Sequence, residues 1–204
     1  MFDLNGKDFK ETTIFNNGAA GVAKNVTISV DVRKPGEPET NSPYKLIVKD
    51  NDGGLLTGWF NYPTKRDGQT EEQVKVAAKR EISRVLHIAR AVVGPTYKYP
   101  DTAGMTPKSI VDILFKIIGD NAGDSKFNVF VTYGTKDYPS KKGYLNLRYF
   151  NFIERASEDG STKLREGAND LMIRVVADDD SLPASGMDIT SPTAAGTTTD
   201  WTTL

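Results

Sequence analysis

From Glu71 to Val93 the chain runs for 23 residues without a glycine or a proline, enough for roughly six turns of α-helix. Thr70 and Gln73 stand at its start in the capping-box pattern, in which side chain and backbone satisfy each other's orphan groups. Val74, Ala78, Ile82, Val85, Ala89 and Val92 recur at spacings of three and four and form one apolar stripe. Arg80, Arg84 and His87 form a positive ridge beside it, since residues three and four apart share a helical face. A second helix is marked by Thr106 as N-cap and Pro107 at the first helical position, with Gly119 expected to end it. Its residues Ile110, Val111, Ile113, Leu114, Phe115, Ile117 and Ile118 leave little polar surface, so it must pack deeply. This helical block, residues 70–119, is one insertion between β-type runs and does not alternate with them. A βαβ architecture is thereby excluded.

Ahead of the block lie three strand-like runs. Val26, Ile28, Val30 and Val32 alternate with Asn25, Thr27, Ser29 and Asp31, the period of a half-buried strand. A loop with three prolines, Pro35 to Pro43, separates it from Tyr44–Lys49, because proline cannot donate to a ladder. Leu55 to Tyr62 follows after DNDGG. Asp50, Asn51, Asp52 and Gly53 resemble the start of a calcium loop, yet the position for a bidentate acid falls on Asn61. A hairpin turn is the expected reading.

Behind the block, Lys126 to Glu154 interleaves aromatics and cations. Phe127, Val129, Val131 and Tyr133 share one face of the first run, because strand side chains alternate. In the second run, Tyr144 to Ile153, one face holds Tyr144, Asn146, Arg148, Phe150 and Phe152, and the other holds Leu145, Leu147, Tyr149 and Ile153. Gly134, Pro139 and Gly143 mark a turn region charged by Lys136, Lys141 and Lys142. A hairpin with a basic tip is expected, its rings either buried as core or presented with the cations to stack nucleobases and follow a phosphate backbone. The stretch LLTGWFNYPTKR repeats the association, with Trp59, Phe60 and Tyr62 just before Lys65 and Arg66. The ridge on the first helix is either a solvated face or a wall of the same groove.

Charge is segregated along the chain. Residues 178–204 hold five acids, Asp178, Asp179, Asp180, Asp188 and Asp200, and no Lys or Arg, which leaves 22 acids against 26 bases in residues 1–177. A mildly basic body with an anionic tail suits a polyanion partner for which the tail competes. The tail is rich in Ser, Thr, Ala, Gly and Pro, with too few apolar residues to offset the entropy of ordering. Asp170–Val176 reads as a last strand. The chain has no cysteine and a single histidine, so no disulfide framework, cysteine nucleophile or histidine-rich metal site is available. No apolar run approaches a membrane span, and the start has no signal-peptide pattern. A soluble, cytoplasmic protein is expected.

The fold class expected is mainly β with a helical insertion (α+β), as an OB-like antiparallel five-stranded barrel with two inserted helices. A weakly structured arm, 1–23, would precede the domain at 24–177, and a flexible acidic tail, 178–204, would follow. The pattern YKLIVKDNDGGLLTGWFNYP, then a charged helix, then KFNVFVTYGTKDYPSKKGYLNLRYFNFIE resembles OB-fold single-stranded DNA-binding proteins encoded by bacteriophages. The resemblance covers most of residues 24–176. It implies a role in DNA replication, recombination or repair in the host cell cytoplasm, with rings stacking on bases and cations contacting phosphates. Carried onto this sequence, stacking falls to Trp59, Phe60, Tyr62, Tyr133, Tyr144 and Tyr149. Phosphate contact falls to Lys65, Arg66, Lys136, Lys141, Lys142 and Arg148, and the reading of the helix ridge as a groove wall adds Arg80 and Arg84. Tyr149 lies on the strand face opposite Tyr144 and Arg148, so one groove takes all three only if a bulge intervenes. The resemblance also implies a tail that recruits replication or recombination enzymes, here through Asp178, Asp179, Asp180 and the apolar anchor Trp201. No phosphate loop, GxSxG elbow or HExxH pair occurs, so a non-enzymatic, cofactor-free reading is preferred. The alternative is a virion or assembly protein that makes protein contacts only, in which Trp59, Tyr133 and Tyr144 serve core or interface.

Overall fold

The computed structural model describes residues 13–32, 43–62, 68–139 and 143–174. The first strand, β1 (Gly21–Val32), is the spine of the sheet and begins three residues ahead of Lys24, taking in the end of the expected arm. Ala23, Val26 and Ile28 point into the core while Lys24, Asn25 and Ser29 face solvent. At Asn25 the backbone turns to φ +56°, and the register slips between Ala23 and Val26. Such a bulge bends a strand and increases its twist. Consequently β1 serves two neighbours. Its first half pairs antiparallel with β4 (Phe127–Thr132), from Gly21↔Val131 to Val26↔Phe127. Its second half pairs with β2 (Tyr44–Lys49), from Thr27↔Lys49 to Val32↔Tyr44.

A hairpin joins β2 to β3 (Leu55–Phe60), as its turn residues lead one to expect. Asp50 organises it. One carboxylate oxygen accepts from the amides of Asp52 (3.1 Å) and Gly54 (2.7 Å), and the other from the Asn16 amide at 2.8 Å. The acids that resemble a calcium loop thus belong to the turn, and their central carboxylate is spent on three N–H groups. Gly54 is buried where a Cβ would come within 2.6 Å of Phe15 Cα. Because that neighbour is backbone and cannot rotate away, Gly54→Ala is expected to cost about 2–3 kcal/mol. The measurement is urea unfolding, with a lower midpoint at unchanged m-value.

Helix α1 (Glu71–Val93) carries the full capping box, Gln73 N to Thr70 Oγ1 at 3.3 Å and Thr70 N to Gln73 Oε1 at 2.9 Å. It ends at Gly94, φ +80°, a backbone state open to glycine. Helix α2 (Pro107–Ala122) begins as expected, with Thr106 accepting from Ser109 N, but does not stop at Gly119. One mid-helix glycine costs only about 1 kcal/mol, and the Lys116–Asp120 pair, 2.7 Å, spans that position. Termination falls instead at Gly123, φ +45°. The deep packing expected of α2 is observed: the Phe115 ring lies flat on Tyr44 (4.2 Å, 8°) and edge-on to Phe60 (5.3 Å, 70°). Asp112 Oδ1 accepts from the hydroxyls of both Tyr44 (2.8 Å) and Tyr62 (2.7 Å). Burial first, and Asp112 second, hold the Tyr44 hydroxyl protonated far above the usual phenol range.

All six residues of β4 are buried. Along its free edge run β5 (Asn146–Leu147) and β6 (Ile153–Arg155) in two registers, Val131↔Leu147 and Thr132↔Asn146, then Val129↔Ile153 to Phe127↔Arg155. The run Tyr144 to Ile153 is therefore not one strand. Arg148 N donates to Phe130 O (3.2 Å), Phe130 N donates to Phe152 O (2.7 Å), and Tyr149, Phe150 and Asn151 leave the ladder between them. Asn151 makes the turn at φ +48°, a conformation asparagine tolerates better than most residues. The last expected strand, Asp170–Val176, is likewise not formed in its described part, which contributes one bridge, Thr135↔Asp170. Leu171 spends both of its backbone groups on the irregular segment 133–136, its N–H on Gly134 O at 3.0 Å and its carbonyl on Tyr133 N at 2.9 Å.

The ladder order is β3-β2-β1-β4-β5, with β6 also on β4. The architecture is an antiparallel six-stranded sheet with two helices inserted between β3 and β4, an α+β fold. Its ends, β3 and β5, touch where Leu147 packs over Gly58, yet no hydrogen-bonded ladder among the described residues joins them. The sheet is not closed into a barrel. Among the described residues no helix is long and apolar enough to cross a membrane.

Candidate nucleic-acid interface

The pairing of β1, β2 and β3 sends alternate residues outward in register. Tyr44, Leu46, Val48 and Phe60 fill the core; Asp31, Lys45 and Trp59 form one outward row, and Thr27, Lys49 and Leu55 another. Trp59 is 53% exposed and Leu55 60%, so this face carries a large ring on a polar sheet. Lys45 Nζ lies 4.8 Å from the centre of the Trp59 ring and 3.4 Å from Asp31. Lys45 thus combines a cation–π contact with an exposed ion pair, each worth under about 1 kcal/mol. Both lysines of this face were missed among the candidates. The signal was the alternation of YKLIVK, which puts Lys45 and Lys49 on the face of Trp59 once the hairpin register is known.

A second group of rings lies on the β4–β5 connection. Thr135 and Tyr138 close a tight turn with two mutual backbone bonds of 3.0 Å, and Tyr138 projects from it, 83% exposed. Tyr144 is 63% exposed, and Lys136 is exposed beside the turn. Arg80 is exposed on α1. Lys65, Arg66, Lys141 and Lys142, and the tail residues Asp178, Asp179, Asp180 and Trp201, lie outside the described residues.

Four of the expected contacts are placed elsewhere. Phe60 is fully buried against Phe115, so its ring is core. Tyr133 is buried, and its hydroxyl donates to the Gly18 carbonyl. Arg148 is spent internally: it donates to the carbonyls of Phe150 (3.0 Å), Arg165 (2.7 Å) and Asn151 (2.7 Å) and to Asp170 Oδ2 (2.8 Å), and it stacks 4.3 Å from the Phe130 ring centre. Arg84 is buried between rings, 4.1 Å from the centre of Phe60 and 4.7 Å from that of Tyr149. It reaches the Trp59 carbonyl at 3.4 Å and Glu81 at 4.0 Å. Arg84 therefore plugs the gap between β3 and the Tyr149–Asn151 excursion; burial lowers its pKa, with Glu81 opposing.

Tyr149 and Tyr62 are intermediate cases. The excursion supplies the bulge that lets Tyr149 leave its expected strand face, but its ring covers Arg84 and its hydroxyl donates to Glu81 Oε1 at 2.9 Å. Burial, then Glu81, push that hydroxyl up to about 12. Tyr62 is half-buried, with Lys108 Nζ 4.8 Å from its ring centre. His87, the lone histidine, is half-buried against the edge of Phe152 at 6.1 Å, and burial pulls its pKa down. Among the described residues no three His, Asp or Glu side chains converge as metal ligands.

No family model, curated protein or solved structure matches this chain. The functional reading accordingly rests on the geometry and on the resemblance in pattern.

Proposed function

We propose that this chain binds single-stranded DNA without reading its sequence, coating and protecting it by base stacking and phosphate contact. The observation that carries the reading is Trp59, a half-exposed ring held on the outer face of β1–β2–β3 with Lys45 against it and Lys49 on the same face. Every base offers a π-face, so a ring flanked by cations grips a strand irrespective of sequence. The strand order supports an OB-type reading. Here β1 is shared between β2 and β4, the helices enter between β3 and β4, and β3 approaches β5 at Gly58 and Leu147. On the resemblance in pattern, the setting is replication, recombination or repair of phage DNA in the host cytoplasm, with the C-terminal segment recruiting partner enzymes.

The two tryptophans are Trp59 and Trp201, so a Trp201→Phe background makes fluorescence report on Trp59. Oligo-dT is expected to quench it strongly, in preference to duplex. Trp59→Ala is expected to weaken binding by about 1–3 kcal/mol, roughly five- to 150-fold. Each of Lys45→Ala and Lys49→Ala should lower the slope of log affinity against log salt by about 0.7. Unquenched fluorescence and no binding at low salt reject the reading and leave the protein-contact alternative.

A further inference from the structure

A cleft of about 330 Å³ opens beside the β4–β5 connection, with Thr135, Tyr138, Asn146, Leu147 and Tyr149 in its lining. We propose that it is a slot for one unpaired base of the bound strand, with Tyr138 as the stacking ring and Asn146 as the hydrogen-bonding residue. This rests on the single-strand reading and adds to it a discrete base site apart from Trp59.

Three observations carry it. The first is rigidity. Tyr138 sits on a turn closed by Thr135 N to Tyr138 O and Tyr138 N to Thr135 O, both 3.0 Å, and by Tyr138 N to Thr135 Oγ1 at 3.0 Å. The turn is tied to the body by Lys136 N to Asn169 O and Tyr133 N to Leu171 O, each 2.9 Å. The Gly134↔Pro139 bridge closes its base. The second is exposure: this rigid turn presents a tyrosine ring that is 83% exposed. The ordered backbone fixes where the ring is carried, so a flat ligand that lands on it has only the two side-chain torsions to immobilise. The third is the polar group in the lining. Asn146 Nδ2 donates to the Tyr144 carbonyl at 2.9 Å, which orients the amide and leaves Oδ1 as its acceptor for a base N–H. A planar base is a few ångströms thick, and the cleft volume exceeds what one ring system needs. Arg148 also lines the cleft, but four of its five N–H groups are already donated to protein acceptors, so the slot suits a base better than a phosphate.

The test compares oligo-dT with an abasic oligonucleotide of the same length, in the Trp201→Phe protein and in its Tyr138→Ala and Asn146→Ala variants. Tyr138 and Asn146 are exposed, and far-UV circular dichroism checks that each variant is folded. Tyr138→Ala is expected to weaken oligo-dT binding about tenfold while leaving the abasic strand unchanged and the final Trp59 quench intact. Asn146→Ala should weaken oligo-dT by a smaller factor, also with no effect on the abasic strand. Wild-type affinity for oligo-dT in both folded variants, with Trp59 still quenched, overturns the slot and leaves the single-strand reading standing. An equal loss for dT and abasic strands also overturns it, since contact would then be to the backbone. Absence of any oligonucleotide binding in the starting protein overturns both.

Discussion

Arg148→Ala is expected to destabilise the fold by about 3–5 kcal/mol, the cost of leaving one partner of a buried ion pair uncompensated. The side chains of Arg148 and Asp170 are 17% and 8% exposed. Removing the guanidinium leaves Asp170 without its cation, the Gly167 amide still donating to Oδ2, takes a donor from the carbonyls of Phe150, Asn151 and Arg165, and uncovers the Phe130 ring. These groups belong to two separate pieces of chain, the excursion from β5 to β6 and the loop that ends at Asp170. One planar fork therefore holds both against the sheet. Arg148→Lys is expected to recover less than half of the loss, because an ammonium offers three donors from one point and cannot span acceptors on several sides. Chemical denaturation measures the effect as a fall in midpoint. An unchanged midpoint together with weaker oligonucleotide binding returns Arg148 to the role of a phosphate contact.

The second large effect is expected at Arg84. Arg84→Ala removes a buried side chain from between Phe60 and Tyr149 and leaves the Glu81 carboxylate without its cation. Lost packing and an unpaired buried charge add, for about 3–5 kcal/mol. The pairing is distinguished from the packing by a double-mutant cycle of Glu81→Gln, Arg84→Met and the two combined. Glu81→Gln with Arg84→Met removes both charges while keeping volume between the rings, and is expected to be clearly more stable than Arg84→Ala. If Arg84→Ala unfolds at the wild-type midpoint, the plug between β3 and the excursion is not structural. Exposed Arg80, one turn earlier on α1, serves as the control: Arg80→Ala should leave the midpoint nearly unchanged, since exposed cations contribute little to stability.

These two arginines mark where reasoning from the chain stops. Arg80, Arg84 and His87 read as one ridge because spacings of three and four share a helical face. The three do share a helical face, yet Arg80 is solvated, Arg84 is enclosed by Phe60 and Tyr149, and His87 is half-buried. The difference comes from residues far away in the chain, since Arg84 meets a carbonyl 25 residues off and its neighbour Glu81 meets a hydroxyl 68 residues off. Trp59 and Phe60 make the same point inside one strand. Alternation requires them to face opposite ways, and only the pairing of β3 with β2 and the packing of α2 decide which of the two is core. In the second aromatic stretch even the alternation fails, because Asn151 takes a left-handed turn and the strand steps out of register between Arg148 and Phe152.

What the amino-acid sequence determined by itself was local. It set the order of the first three strands, the two helices and the strand after them, both helix starts, the Asp50 turn and the alternation of β2, because capping, turn and period-two patterns act over two to four residues. It also placed aromatics and cations together in the two stretches from which the exposed Trp59, Tyr138 and Tyr144 come. Only the tertiary structure decided that Phe60, Tyr133, Arg84 and Arg148 are spent on the protein's own packing, and that α2 runs through Gly119. The sheet's open ends, which touch at Gly58 and Leu147, were also decided there. The physical reason is that burial belongs to a pair of surfaces, and each of these side chains meets its second surface from a part of the chain that no local pattern reaches.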